Sequence, residues 1–103
     1  MNKKPLQEFL DYLKFEKACS PYTIRSYQID LEQMFSYLGK KNPKVIDPQE
    51  LRGYLSSLFG TIQPASVARK LSAVKSFFRF LVKRGVLEQS PAEELILPRL
   101  PKK

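Results

Sequence analysis

Four X-Pro steps divide this chain: Ser20-Pro21, Asp47-Pro48, Gln63-Pro64 and Ser90-Pro91. They limit its fold more than any other feature. Proline inside a helix loses a hydrogen bond and clashes with the preceding turn. At the first helical position it loses nothing, because that N–H has no partner within the helix. A Ser or Asp just before it can accept from a free N–H of the first turn. Three of the four steps carry such a cap, and Gln63 is a poorer version of the same break. Gly39 and Gly85 stand where helices should end, each able to take the left-handed conformation of a closing residue.

Between these marks the apolar residues recur with a helical period. The first segment, about 5–18, carries Leu6, Phe9, Leu10 and Leu13. The second, about 21–38, carries Ile24, Tyr27, Leu31, Met34, Phe35 and Leu38. The third, about 48–59, carries Leu51, Tyr54, Leu55, Leu58 and Phe59. The fourth, about 64–84, carries Val67, Leu71, Val74, Phe78, Leu81 and Val82. Nothing alternates with period two over a useful length. The pattern predicts an all-α, four-helix domain over residues 1–97, with a short helical turn after Ser90-Pro91. The Pro- and Lys-rich end LPRLPKK predicts the start of a linker at 98–103. The fourth segment has a second apolar strip, Ala73, Phe77 and Phe80. A helix apolar on two sides packs between neighbours. Its remaining polar strip is narrow and holds Arg69, Ser72, Ser76 and Lys83.

The 103 residues suit one domain, and an apolar fraction of 43% suffices for a core without crosslinks. One cysteine and no histidine exclude an internal disulfide and a zinc site, and fit a reducing cytoplasm. The N-terminus has no apolar signal core, and no apolar run approaches the roughly 20 residues of a membrane span. The net charge is +8, but its placement says more. Leu51 to Leu87 holds seven basic residues (Arg52, Arg69, Lys70, Lys75, Arg79, Lys83, Arg84) and no acid, so all ten acids lie elsewhere. A one-sided basic block suits a polyanion.

Catalysis has little to stand on. The commonest general base is missing, the acids fall mostly on helix surfaces, and no glycine-rich phosphate loop is present. No catalytic residue, metal or cofactor is expected. Two helix starts stand out instead. Thr23, Arg25 and Ser26 open the second helix; Ser66, Arg69 and Lys70 open the fourth. Each combines hydroxyls and cations with unpaired backbone N–H groups, a set that recognises phosphate. Simple capping also explains Thr23 and Ser66.

The string FLDYLKFEKACSPYTIRSYQIDLEQMFSYL resembles the opening of the core-binding, SAM-like domain of tyrosine recombinases of the phage-integrase family. The matching positions are Phe9, Tyr12-Leu13, Glu16-Lys17, Ser20, Thr23, Tyr27 and Asp30-Leu31. The block ASVARKLSAVKSFFRFLVKRGVLEQSPAEELILPRLPKK is similar to the family's Ser-x-x-Arg-x-Leu-Ser-Ala-x-basic-x-Phe run and its Pro-rich exit. The early N-terminus is most like Xer-type recombinases. The resemblance implies two crossed helical hairpins and a non-catalytic DNA-binding domain that forms half of a clamp on double-stranded DNA. The second and fourth helices would then cross the major groove. By position it implies contacts from Thr23, Arg25, Ser26, Ser66, Arg69 and Lys70, with Ser72 and Lys75 secondary. The cleaving tyrosine would belong to a second domain, and the parent would act as a tetramer on DNA while this domain alone is a monomer. Where the family often has two basic residues after Tyr27, this chain has Gln28 and Ile29, which weakens the expected grip of the second helix. Two other readings stay open from the residues alone: a basic helical module docking an acidic protein, and a complete small DNA-binding regulator.

Overall fold

The computed structural model describes residues 4–39 and 42–96, so the expected linker at 98–103 lies outside the described residues. Four helices are present among them: α1 (Pro5–Phe15), α2 (Pro21–Leu38), α3 (Pro48–Leu58) and α4 (Pro64–Lys83). A 3₁₀ turn, Pro43–Val45, lies between α2 and α3.

Every one of these helices begins on a proline: α2, α3 and α4 at three of the X-Pro steps named above, and α1 at Pro5, outside that set. Ser20 Oγ accepts from the Thr23 N–H at 3.2 Å at the head of α2. Asp47 and Glu50 form a reciprocal capping box on α3: the Glu50 N–H donates to Asp47 Oδ1 at 2.8 Å, and the Asp47 N–H to Glu50 Oε1 at 3.2 Å. No side chain caps α4. Gly39 (φ 65°) closes α2. Gly85 (φ 78°) closes α4, where the Val86 N–H reaches back to Leu81 O at 2.9 Å.

The end of α1 departs from expectation. The periodicity carries the helix to about residue 18, yet it stops at Phe15. Ala18 takes the left-handed conformation (φ 51°), and across it the Cys19 N–H donates to Leu13 O at 2.9 Å. Alanine stands where a glycine is usual, so no sequence signal marked this turn.

The helices α2 and α4 form the central pair; α1 and α3 each pack against both. Phe9 of α1 ties three helices together. Its ring lies 5.7 Å from Tyr27, 5.5 Å from Phe77 and 5.4 Å from Phe80, all at steep or tilted angles that suit aromatic quadrupoles. Phe35 meets Phe77 edge-on from α2 at 5.8 Å. Leu51, Tyr54 and Leu55 carry α3 into the same core, with Ile46 from the connection before it. After α4 the chain makes hydrogen-bonded turns over 91–94 in place of a helical element. Ala92 and Leu95 bury there, and the Ala92 N–H donates to Ser90 Oγ at 3.0 Å.

Phe77 is wholly buried, whereas Tyr22 is 82% exposed. Phe77→Ala is expected to cost about 3–5 kcal/mol in urea unfolding, and Tyr22→Ala less than about 0.5 kcal/mol. Ala18→Gly relieves the left-handed alanine but frees the unfolded chain, a net gain of about 0.5 kcal/mol.

Candidate nucleic-acid interface

Burial on two sides leaves α4 one polar face. Ala73, Phe77 and Phe80 are buried alongside Val67, Leu71, Val74, Phe78 and Leu81. At 100° per residue, the spacing of Arg69, Ser72, Ser76, Arg79 and Lys83 (three, four, three, four) puts all five on one stripe of the helix. The stripe runs about 21 Å from Arg69 to Lys83 and contains no acid. Lys75 borders it, half-buried, and Ser66 sits half-buried in the first turn. Beside the second half of the stripe lies a groove of about 450 Å³. There Ser76, Arg79 and Lys83 face Lys17, Cys19 and Tyr27 from the α1–α2 turn and α2. Lys17, Arg79 and Lys83 are cations that the pairing of helix starts did not single out. Lys83 was already on the polar strip read from the sequence, and the same three–four spacing from Arg69 could have added Arg79.

On α2 the predicted trio separates. Thr23, Ser26, Asp30 and Gln33 share one flank at three–four–three spacing. Arg25, five residues before Asp30, is turned about 140° away from it. It lines a different groove with Lys14, Ile29 and Glu32. Thr23 is partly engaged locally, since Ser20 Oγ also donates to its hydroxyl at 3.1 Å.

The flank of α2 meets the first turns of α4 through an ionic cluster. Asp30 is 2% exposed and accepts from three donors on two cations. Arg69 grips it as a fork, Nε to Oδ2 at 3.2 Å and Nη2 to Oδ1 at 3.0 Å. Lys70 Nζ donates to Oδ1 at 2.8 Å and also to Gln33 Oε1. The side chain of Arg69 stays 57% exposed, that of Lys70 only 8%. Lys70, grouped with the phosphate-facing residues in the sequence, is therefore an interior residue. Helical spacing alone does not separate it from Arg69; only the buried carboxylate opposite does. Asp30 carries the organisation of this corner. The sequence offered it as part of a family string, without a role.

The profile of the phage integrase N-terminal SAM-like domain matches residues 6–85. This chain belongs to that family. Within this SAM-like domain family, similar curated proteins are tyrosine recombinases. Tyrosine recombinase XerC of Chlorobaculum parvum is 37% identical over 108 residues, covering 95% of this chain and 32% of the relative. Tyrosine recombinase XerC of Myxococcus xanthus is 39% identical over 100 residues, covering 94% and 33%. The chain thus spans about a third of the length of these curated relatives. An integrase from mycobacterium phage Brujita shares the fold with a TM-score of 0.81 at 17% identity, over 98% of this chain and 34% of that one. Among the described residues, no helix of the SAM-like domain is long and apolar enough to cross a membrane.

Near the ionic cluster, Tyr54 of α3 is 3% exposed, and its hydroxyl has no hydrogen-bond partner among the described residues. Burial first, then the nearby Asp30 charge, pushes its pKa up from 10.0 to about 12. The folded hydroxyl keeps its proton where the unfolded one loses it. Stability is therefore full below pH 10 and falls as pH rises from 10 towards 12. Tyr54→Phe should abolish that alkaline loss. At neutral pH it should change stability by less than about 1 kcal/mol, because no partner is orphaned. Urea melts at a series of pH values, run on the unsubstituted domain and on Tyr54→Phe side by side, check both points.

Proposed function

We propose that this domain is the non-catalytic, DNA-binding part of a site-specific tyrosine recombinase. In this reading the polar stripe of α4 lies in the major groove, with the Thr23–Ser26 flank of α2 beside it. The observation that carries it is the single acid-free face joining Arg69, Ser72, Ser76, Arg79 and Lys83. An α-helix fits the major groove of B-DNA. A stripe of about 21 Å matches the rise of roughly six nucleotides along one strand. The head of α4, which no side chain caps, adds Ser66 in its first turn and the positive end of the helix dipole for a phosphate. Ser72 and Lys75 belong to the same surface. Arg25 contributes from another face, and Lys70 acts from inside.

The rest of the reading concerns the parent protein. The strand-cleaving tyrosine and its Arg, Lys and His helpers lie beyond this third of the relatives' length, and the parent assembles as a tetramer on its DNA site. This domain forms one half of the clamp, and its own share of the work is grip and register, with no cleavage.

Duplex binding followed by fluorescence anisotropy over a range of salt tests the proposal. With about four phosphates neutralised, by Lys17, Arg69, Arg79 and Lys83, log K falls with log salt at a slope of about −3.6, and Kd lies on the order of 10⁻⁴–10⁻⁶ M near physiological salt. Arg79→Ala and Lys83→Ala should each shrink the slope by about 0.9, and Arg25→Ala should change it much less. An NMR titration with duplex should move amides of both α4 and the Thr23–Ser26 turn. Shifts confined to α4, or tighter binding to an acidic peptide than to duplex, would reject DNA in favour of an acidic protein partner.

A further inference from the structure

We propose that Asp30 and Lys70 are positioning residues for Arg69, holding its guanidinium in one orientation while leaving its charge available to DNA. This inference rests on the DNA-binding reading and deepens it.

The geometry of the fork is the first support. Asp30 engages Nε and one N–H of Nη2. A guanidinium has five N–H donors, so three remain, on Nη1 and the outer side of Nη2, directed away from the carboxylate. Arg69 is thus fixed in its plane by one edge and open along the other. Its exposure agrees, since more than half of the side chain is open while its partner Asp30 is sealed.

The charge count is the second support. An Arg–Asp pair alone is neutral and offers a phosphate little at a distance. Here the carboxylate is shared by two cations, and Lys70 neutralises it from the buried side at 2.8 Å. Two cations on one carboxylate leave one positive charge, and of the three charged groups Arg69 alone is exposed. Lys70 therefore sets how much of Arg69's charge reaches solvent, and Asp30 sets its direction.

The third support is position. Asp30 lies on the same flank of α2 as Thr23 and Ser26, so the cluster joins the two halves of the proposed interface at one point. A carboxylate on a phosphate-binding face is adverse unless it is neutralised, and Lys70 does this from inside the fold.

The test is a charge-restoring cycle. Salt-dependent duplex binding is measured for the unsubstituted domain, Lys70→Met, Asp30→Asn and the double variant, with unfolding followed in parallel. Lys70→Met cancels Arg69 against Asp30, so the salt slope should shrink by about 0.9. The double variant returns the cluster to one positive charge, so its slope should return to that of the unsubstituted domain, although its stability need not. A purely structural role predicts the reverse, with binding following stability. An unaltered slope in Lys70→Met, or no recovery in the double variant, overturns the proposal. Should Lys70→Met fail to fold, the Arg69 Nε–H signal of the unsubstituted domain decides. A resolved, slowly exchanging signal that shifts on adding duplex supports the latch, and one exchanging at the solvent rate overturns it. If the unsubstituted domain binds no duplex, the DNA reading itself fails and this inference with it. Normal binding with an unaltered Lys70→Met slope removes the latch alone.

Discussion

The burial of α4 on two sides is the constraint from which the rest follows. Phe77 and Phe80 turn one face of this helix towards Phe9, and Val74, Phe78 and Leu81 are buried with them. A helix enclosed in this way has few positions left for polar side chains. Its exposed cations are consequently gathered into one line instead of spread around a surface. The hydrophobic core thus shapes the electrostatics: the same packing that makes α4 central also concentrates its charge where a polyanion can lie against it. Phe9 matters for the same reason. It fixes α1 and α2 against the buried side and leaves the opposite side open.

The second organising element is the shared carboxylate. Buried ion pairs seldom add much net stability, because desolvation offsets attraction, but removing one partner of such a pair is severe, at about 3–5 kcal/mol. Asp30 with two cations is therefore better seen as fixing an arrangement than as strengthening the fold. It sets α2 and α4 in one relation where the middle of α2 meets the first turns of α4. The exposed pair Arg84–Glu16, with both side chains at least half open, contributes little by comparison.

Most of the architecture was legible in the residues. Pro21, Pro48 and Pro64 gave helix starts that the structure keeps to the residue, and Gly39 and Gly85 gave two of the ends. The end of α1 was not legible, because Ala18 adopts a left-handed conformation that its side chain does not advertise. The site was legible only in part. Basic residues without acids marked α4 from charge alone. Which cations face outward depends on tertiary partners: Lys70 and Arg69 are adjacent in sequence, and a carboxylate forty residues away decides that one is interior and the other open. Arg25 shows the converse. It shares a helical turn with Thr23 and Ser26, yet the rotation of α2 gives it to another groove. Helical phase was available for all three, but the phase of the interface was not, because that is set by Asp30 and its contacts.

The turn after α4 has a mechanical meaning. With Ala92 and Leu95 anchored in the core, the backbone leaves the bundle from a pinned point and not from the frayed end of a helix. Whatever chain follows starts from a fixed origin, so its reach is set by its own length and stiffness. A partner module tethered there would search a smaller volume, and would do so at a higher local concentration, than one hung from a loose terminus.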